Sequence, residues 1–230
     1  MDTMNTGAAA VPQSQSIFNR VIGIFTSPRP TMDDIVARPS WIGPLLLMVV
    51  VSALAGYLLT DLIVDQALSE MSQNPNVTQE QMDKAVPWIN ASALIAPALF
   101  TPIIYFLIAA IFMFVGNVIL GGEAKFKIPL SVVCWSGLIT LLSSAVNIPL
   151  MLSRGEMTSP TSLSFLGGED KGSPLFFLFS QIDLFYLWWL VVLGIGFAAT
   201  YKFTNQKGIV TVFACWVAYL AIGMGLKAIF

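Results

Sequence analysis

Histidine is absent from this 230-residue chain, and charged residues make up only 10% of it. Histidine is the commonest general base and the commonest metal ligand in proteins. Its absence excludes Ser–His hydrolases, histidine-ligated zinc enzymes and haem sites with a histidine axial ligand. The two cysteines, Cys134 and Cys215, lie inside apolar runs and are too few for a zinc site. We therefore expect no metal and no cofactor.

Clusters of basic residues and nucleotide-binding loops are also missing. The net charge is −2, whereas binding to nucleic acid phosphates needs clustered Lys and Arg. No glycine-rich loop follows a strand, so nothing indicates a nucleotide site. We expect no nucleic-acid partner.

Catalysis would need two aspartates acting as an acid–base pair, because histidine is lacking. Asp61 and Asp183 are the only such pair inside apolar stretches. Neither lies in the Gly-x-Gly-Asp setting of intramembrane aspartyl proteases, since the Gly-x-Gly at residues 194–196 is followed by Phe197. We expect no catalytic residues and a protein that is not an enzyme.

Apolar residues, in contrast, are abundant: they make up 56% of the chain, and the mean hydropathy is +0.78. A soluble domain has about 25% charged residues, so the few charges here could not cover a soluble globule. A membrane-spanning helix needs about 20 apolar residues, and open strands would leave backbone groups unpaired in lipid. Five stretches are long enough: 41–64, 91–120, 128–152, 175–201 and 209–230.

The N-terminal segment differs from these stretches. Residues 1–15 are small and polar, and we expect a disordered tail. Residues 16–27, drawn as a helix, have apolar residues on one face and Asn19, Arg20 and Gly23 on the other. Such a helix is too short to span and should lie in the headgroup plane with its apolar face in lipid.

A second short helix should follow. Pro28 and Pro30 are expected to end the first one, and Thr31 with Asp34 resembles a capping box that starts the next, which stops before Pro39. We therefore divide the chain into a tail at 1–15, amphipathic interfacial helices at 16–40 and a five-span transmembrane domain at 41–230. The predicted fold class is all-α: a polytopic membrane protein with a bundle of about five transmembrane helices preceded by an amphipathic interfacial helix.

The distribution of Lys and Arg predicts the orientation. With the N-terminus inside, seven basic residues fall on inside segments and four on outside segments, and such an excess is typical of the cytoplasmic side. We predict a cytoplasmic N-terminus and an outside C-terminus. The connection at 65–90 should begin a short surface helix, with a capping box formed by Thr78 and Gln81 and an end at Pro87.

Four polar or aromatic residues form the candidate functional site: Asp183, Asp61, Asn147 and Trp188. An acid within a span usually faces the bundle interior or a wet cavity; alternatively, the helix starts near residue 181 and Asp183 caps it. Asp61 either shares an outward vestibule with Asp183 or is an interfacial acid. Asn147 is an interhelical hydrogen-bonding residue or a substrate contact, and Trp188 could instead belong to an aromatic belt.

Three segments are distinctive in combination: "FNRVIGIFTSPRPTMDDIVARPSWIGPLL", "LGGEAKFKIPLSVVCWSGLITLL" and "SQIDLFYLWWLVVLGIGFAATYKFTNQKG". Together with a five-span layout that has its N-terminus inside, they resemble the YIP family, the Ypt/Rab-interacting membrane proteins, and look most like its prokaryotic branch. The likeness covers roughly residues 18–230. The Asp-Leu-Tyr-Gly-Pro motif of eukaryotic members has no counterpart here, which makes GTPase binding doubtful. The resemblance implies an integral protein of the bacterial inner (plasma) membrane.

Two functions remain open. In the first, the chain is a non-enzymatic membrane protein of the YIP type that organises or assembles membrane components, with the lipid bilayer and either further copies or other membrane proteins as partners. In the second, it is a transporter, channel or lipid-translocating protein with a polar path near Asp183. The amphipathic helix favours the first function, whereas the acids and amides inside the spans favour the second.

Overall fold

The computed structural model describes residues 15–168 and 170–229, and their regular structure is helical. Except for Gln15, the predicted tail at residues 1–15 lies outside the described residues. The α-helices are α1 Ile17–Thr26, α2 Pro28–Ala37, α3 Ile42–Leu58, α4 Thr60–Ser72, α5 Gln79–Met113, α6 Lys127–Ser136, α7 Leu138–Arg154, α8 Pro174–Ser180, α9 Leu184–Tyr201 and α10 Asn205–Ile229. A π-helix at Phe114–Ile119 continues α5, and a 3-10 turn at Ser164–Leu166 precedes α8.

Four helical segments are long and apolar enough to cross a membrane: Gln79–Ile119, Lys127–Arg154, Leu184–Tyr201 and Asn205–Lys227. The pair α2 and α3 adds a fifth candidate if it is counted as one broken span, bent by 118°. The structure thus has four to five candidate spans, and it confirms the predicted all-α polytopic membrane protein with a bundle of about five transmembrane helices.

Three of the predicted spans are interrupted. The first breaks at Leu59 between α3 and α4, and the third breaks at Gly137 between α6 and α7. Gly137 approaches Tyr105 of α5 so closely that an added Cβ would lie 2.3 Å from the Tyr105 hydroxyl oxygen. The fourth predicted span, 175–201, consists of α8 and α9 with a break at 181–183. Hydropathy predicts how long an apolar run is, but not where tertiary contacts interrupt the helix inside it.

The prediction that Pro87 ends a short surface helix is wrong. The capping box of Thr78 and Gln81 does start α5, but the helix continues through Pro87, Pro97 and Pro102. In lipid, an unpaired backbone group is so unfavourable that a helix with internal prolines persists where a helix in water would end. The surface helix and the second span are therefore one continuous element.

Helix α9 lies at the centre of the bundle and packs against α2, α6, α7 and α10. Most of its residues from Trp189 to Ala199 are buried, as is nearly all of α6. Gly194 allows α10 to come close, since an added Cβ would lie 2.6 Å from the Cα of Ile209. Apolar side chains of α3, α5 and α10 are exposed, which suits helices whose outer faces contact lipid.

The two N-terminal helices form where they were expected, with one correction. Ser16 caps α1, its hydroxyl accepting from the amide of Asn19 at 3.1 Å. Helix α2 ends before Pro39 as predicted, but it begins at Pro28 rather than at Thr31. A proline suits the first helical position because its missing N–H would be unpaired there in any case. The Thr31 hydroxyl donates to the carbonyl of Ser27 inside α2.

Candidate functional site

Asp183 is the N-cap of α9 and is also buried, with 8% of its surface exposed. One carboxylate oxygen, Oδ1, accepts from the backbone N–H groups of Phe185 (2.9 Å) and Tyr186 (3.1 Å). These amides begin the helix and have no partner within it. The sequence left open whether Asp183 is a helix cap or a buried acid, and in the structure it is both.

The second carboxylate oxygen of Asp183 ties down the loop between α7 and α8. Oδ2 accepts from the Ser159 hydroxyl at 2.8 Å and from the Thr161 hydroxyl. The backbone of the same loop also bonds to residues 181–183, which separate α8 from α9: the Leu163 N–H donates to the Ile182 carbonyl at 2.9 Å. Because these residues bond to the loop, the apolar run at 175–201 forms two helices instead of one.

Asn147 joins the same network from the third span. Its amide nitrogen donates to the Thr161 hydroxyl at 2.9 Å and to the Ser143 hydroxyl at 3.1 Å. Thr161 therefore lies between Asn147 and Asp183 and links α7 to the start of α9. Asn147 has only 6% of its surface exposed, and its hydrogen bonds go to Ser143 in its own helix and to Thr161 in the loop that follows α7. It therefore ties a loop to α7 and does not bridge two helices through these bonds.

The hydrogen-bonding capacity of Asp183 is filled. Each carboxylate oxygen offers about two lone-pair directions, and each accepts two donors: backbone amides at Oδ1 and hydroxyls at Oδ2. These four hydrogen bonds replace those that the buried carboxyl group would otherwise make to water. This arrangement is suited to holding a loop and a helix start together.

The other two candidate residues lie outside this network. Asp61 is exposed in the first turn of α4. Trp188 packs edge-on against Phe25 of α1, with ring centroids 5.8 Å apart. The structure thus brings Asp183 and Asn147 together but leaves Asp61 and Trp188 elsewhere.

Three cavities lie at this end of the bundle. A chamber of about 170 Å³ touches Asp183 and is also lined by Thr140, Ser143 and Ser180. A larger cavity of about 1070 Å³ lies between α4, the α7–α8 loop, α8 and the end of α10, and a third of about 220 Å³ adjoins it. Asp65, one turn after Asp61, lines the largest cavity.

A buried charge cluster holds α1 against the rest of the protein. The Arg20 Nε donates to Asp34 Oδ2 at 2.7 Å, and the side chains are 8% and 7% exposed. Arg38 donates to the other oxygen of Asp34, and Arg20 also donates to the Ser40 hydroxyl at 2.9 Å. The guanidinium lies 5.7 Å from the ring centroid of Trp135 in α6, where it is attracted by the ring electrons.

The ionic state of Asp34 follows from these partners. Burial raises the pKa of the carboxyl, but the hydrogen bonds from Arg38 and Arg20, together with the charge of Arg20, outweigh burial and keep the pKa below its ordinary value. The carboxylate is therefore charged at neutral pH, and the cluster is a true ion pair.

Sequence reasoning missed Arg20, Asp34, Ser159 and Thr161 as contact residues. The helical wheel placed Arg20 and Gly23 on the face opposite the apolar one, and both are buried. The buried residues also include Ile24 of the apolar face, whereas Asn19 of the polar face is exposed. The available signal was Arg20 with Asp34 on two consecutive short helices. For the loop, the signal was the run of hydroxyl residues at 158–162.

No part of the described structure offers a metal site, since no three His, Cys, Asp or Glu side chains within it converge suitably. The network at Asp183 is built from one carboxylate, one amide and hydroxyl groups.

Comparison with known proteins gives one family match. The model of the Yip1 domain matches residues 22–226. No curated protein and no solved structure matches the chain. The match covers nearly the whole chain and agrees with the multi-span helical fold, so the protein belongs to the Yip1 family.

Proposed function

We propose that the protein is a non-enzymatic membrane protein that organises or shapes the bilayer by holding α1 as a rigid wedge in one leaflet. The proposal puts α1 in the cytoplasmic leaflet of a bacterial inner membrane, with the C-terminus outside, as the Lys and Arg distribution indicates. Its partners are the bilayer itself and either further copies of the chain or other membrane proteins.

The single observation that carries this proposal is the contrast between the two faces of α1. The inner face is held by the buried Arg20–Asp34 ion pair and by Ile24, which is fully buried. The outer face presents Ile17 and Phe18, which are 76% and 70% exposed, and Ile22, which is 45% exposed. The helix is thus fixed to the bundle while an apolar edge faces outward.

The energetics favour insertion of this edge into lipid. Full burial of a large apolar side chain stabilises by about 1.5–3 kcal/mol, so three partly exposed ones supply roughly 4 kcal/mol. A freely hinged helix could take up this energy without disturbing the bilayer. A helix fastened to a transmembrane bundle adds area to one leaflet at a fixed place, which favours curvature and local ordering of lipids.

The test compares two exposed phenylalanines in different parts of the protein. Phe18, at 70% exposure, belongs to the proposed wedge, and Phe114, at 56%, lies in the π-helix that continues α5. The full-length protein and the variants Phe18→Ser and Phe114→Ser are reconstituted in liposomes at equal density, and vesicle diameter is measured by cryo-electron microscopy. We expect smaller, more curved vesicles with the parent and with Phe114→Ser, and a return toward protein-free size with Phe18→Ser. Equal diameters for the parent and protein-free vesicles would disprove the wedge.

A transport function is the second candidate, and the chamber beside Asp183 is the observation that favours it. Against it, α9 is closely packed beyond the chamber, where Leu190 and Leu193 are 3% and 1% exposed. Solute flux into proteoliposomes distinguishes the two: flux that depends on the protein and is altered by Ser143→Ala would favour a path through this chamber.

A further inference from the structure

Two of the three cavities adjoin one another and form one groove. The cavity of about 1070 Å³ and its neighbour of about 220 Å³ share several lining residues, among them Glu156, Ser159, Lys171 and Phe176. The groove is large enough to admit a small polar molecule or the headgroup of a lipid together with water.

The charges in the groove are separated. The smaller cavity carries Arg154 and Lys171 against the single acid Glu156. The larger cavity has an excess of acids, since Lys171 and Lys227 are outnumbered by Asp65, Glu70, Glu156 and Asp170. One end of the groove therefore favours an anion, and the adjoining end favours a cation.

Salt bridges in the described part of the chain leave several of these charges out. Over residues 15–168 and 170–229, the salt bridges involve Arg20, Arg29, Arg38 and Lys84 as cations, and neither Arg154 nor Lys171 takes part in one. The acids in these salt bridges are Asp33, Asp34 and Glu80, so Asp65 and Glu156 belong to none of them. Charged side chains that line a cavity without neutralising one another create a local field that attracts a complementary ligand.

Apolar groups stand at the rim beside the cationic end. Phe165 lines the smaller cavity and is 74% exposed, and Leu166, next to it in the 3-10 turn, is 55% exposed. Exposed apolar side chains next to charged ones are typical of a surface at headgroup level, where acyl chains and polar groups meet.

We propose that this groove binds the headgroup of a zwitterionic phospholipid, with the phosphate at Arg154 and Lys171 and the ammonium in the acidic cavity. Arginine suits the phosphate because its guanidinium can donate two parallel hydrogen bonds. The acyl chains remain in the bilayer beside Phe165. The site lies away from α1 and does not depend on the proposed membrane shaping.

The experiment measures lipid binding to the full-length protein in detergent by native mass spectrometry. The probes are phosphatidylethanolamine, which carries phosphate and ammonium, and phosphatidylglycerol, which carries the phosphate alone. We expect the protein to prefer phosphatidylethanolamine by about fivefold, a contribution in keeping with partly solvated charges. The preference should decline at high salt because the groove is open to solvent.

Two variants and a control divide the site into its halves. Lys171→Gln should weaken binding of both lipids about fivefold, because it removes a phosphate contact. Asp65→Asn should weaken phosphatidylethanolamine and spare phosphatidylglycerol, because it acts on the ammonium. Lys84→Gln, an exposed residue of α5 paired with Glu80, should leave both affinities unchanged.

Two results would overturn the proposal. One is equal affinity for the two lipids with no effect of Asp65→Asn. The other is displacement of bound lipid by soluble O-phosphoethanolamine at equal concentration, because the groove would then be a site for a free zwitterion. Neither outcome depends on vesicle diameter, so the headgroup site and the wedge can fail separately.

Discussion

Replacing Arg20 by methionine should release α1 from the bundle. The substitution keeps most of the side-chain volume but leaves the buried carboxylate of Asp34 with Arg38 as its remaining ion-pair partner. Removing one member of a buried ion pair costs about 3–5 kcal/mol. Because Arg38 still donates to Asp34, we expect the loss to be at the lower end, about 3 kcal/mol of the free energy that docks α1. This loss shifts the equilibrium between docked and undocked α1 roughly a hundredfold or more.

Hydrogen exchange measures this opening directly, because amides of a locally opened segment exchange at a rate set by its opening free energy. In Arg20→Met, the amides of α1 should lose roughly two orders of magnitude of protection, whereas those of α9 should keep theirs. The double variant Arg20→Met with Asp34→Leu should regain most of the protection, since an apolar pair can replace a buried ion pair with little loss.

The matched control is Lys84→Met, which breaks an exposed ion pair with Glu80 and should change stability by less than about 1 kcal/mol. Unchanged protection of α1 in Arg20→Met would refute the idea that the ion pair holds this helix. Loss of protection throughout the bundle would show instead that the cluster stabilises the fold as a whole.

Further predictions concern pH, the cap, close packing and orientation. Because the pKa of Asp34 is lowered, protection of α1 should be complete above about pH 4 and decline as the pH falls through that lowered pKa. Thermal unfolding in detergent should show that Asp183→Asn lowers the free energy of unfolding by less than about 1 kcal/mol, because an amide can still accept from the two backbone N–H groups and donate to the hydroxyls. Asp183→Leu, which can do neither, should lower it by about 3 kcal/mol. Gly194→Ala should lower the melting temperature through a loss of about 1–3 kcal/mol, since the new Cβ would meet the α10 backbone at 2.6 Å. In a background without the native cysteines, a cysteine at Ser72 should react with an impermeant thiol reagent on intact cells, whereas one at Gln206 should not.

The predictable features of this fold are those that lipid imposes on a helix locally. The apolar stretches, the capping box at Thr78 and the helix at 16–27 depend on residues within a few positions of one another, and each is found in the structure. The start of α9 at Asp183 was one of the alternatives that the sequence offered, because the cap depends on neighbouring residues. The hydrogen bonds from Ser159 and Thr161, which are 24 and 22 residues from Asp183, were not predictable, because no periodicity indicates contacts between residues so far apart in the chain.

Arg20 illustrates a second limit of sequence reasoning. A helical wheel identifies which residues share a face but not what covers that face. With Arg20, Asn19 and Gly23 opposite the apolar residues, headgroups or water were the expected surroundings. The structure covers Arg20 and Gly23 with protein instead, because Asp34 and Trp135 supply an ion pair and an aromatic surface. The exposed apolar residues of α1 were therefore predictable from the sequence, but the ion pair between Arg20 and Asp34 that holds the helix to the bundle was not.

The buried acids and the cavity-lining charges differ in what they still have to offer a ligand. Both oxygens of Asp183 and both of Asp34 already accept hydrogen bonds from within the protein. A ligand could bind these carboxylates only by breaking the cap of α9 or the ion pairs of Asp34. Substitutions there should act mainly through stability. Lys171 and Glu156 line the groove and belong to none of the ion pairs in the described part of the chain. Replacing them should therefore change binding while the free energy of unfolding stays within about 1 kcal/mol of the parent. A loss of stability in Lys171→Gln equal to that in Asp183→Leu would contradict this division between structural and binding charges.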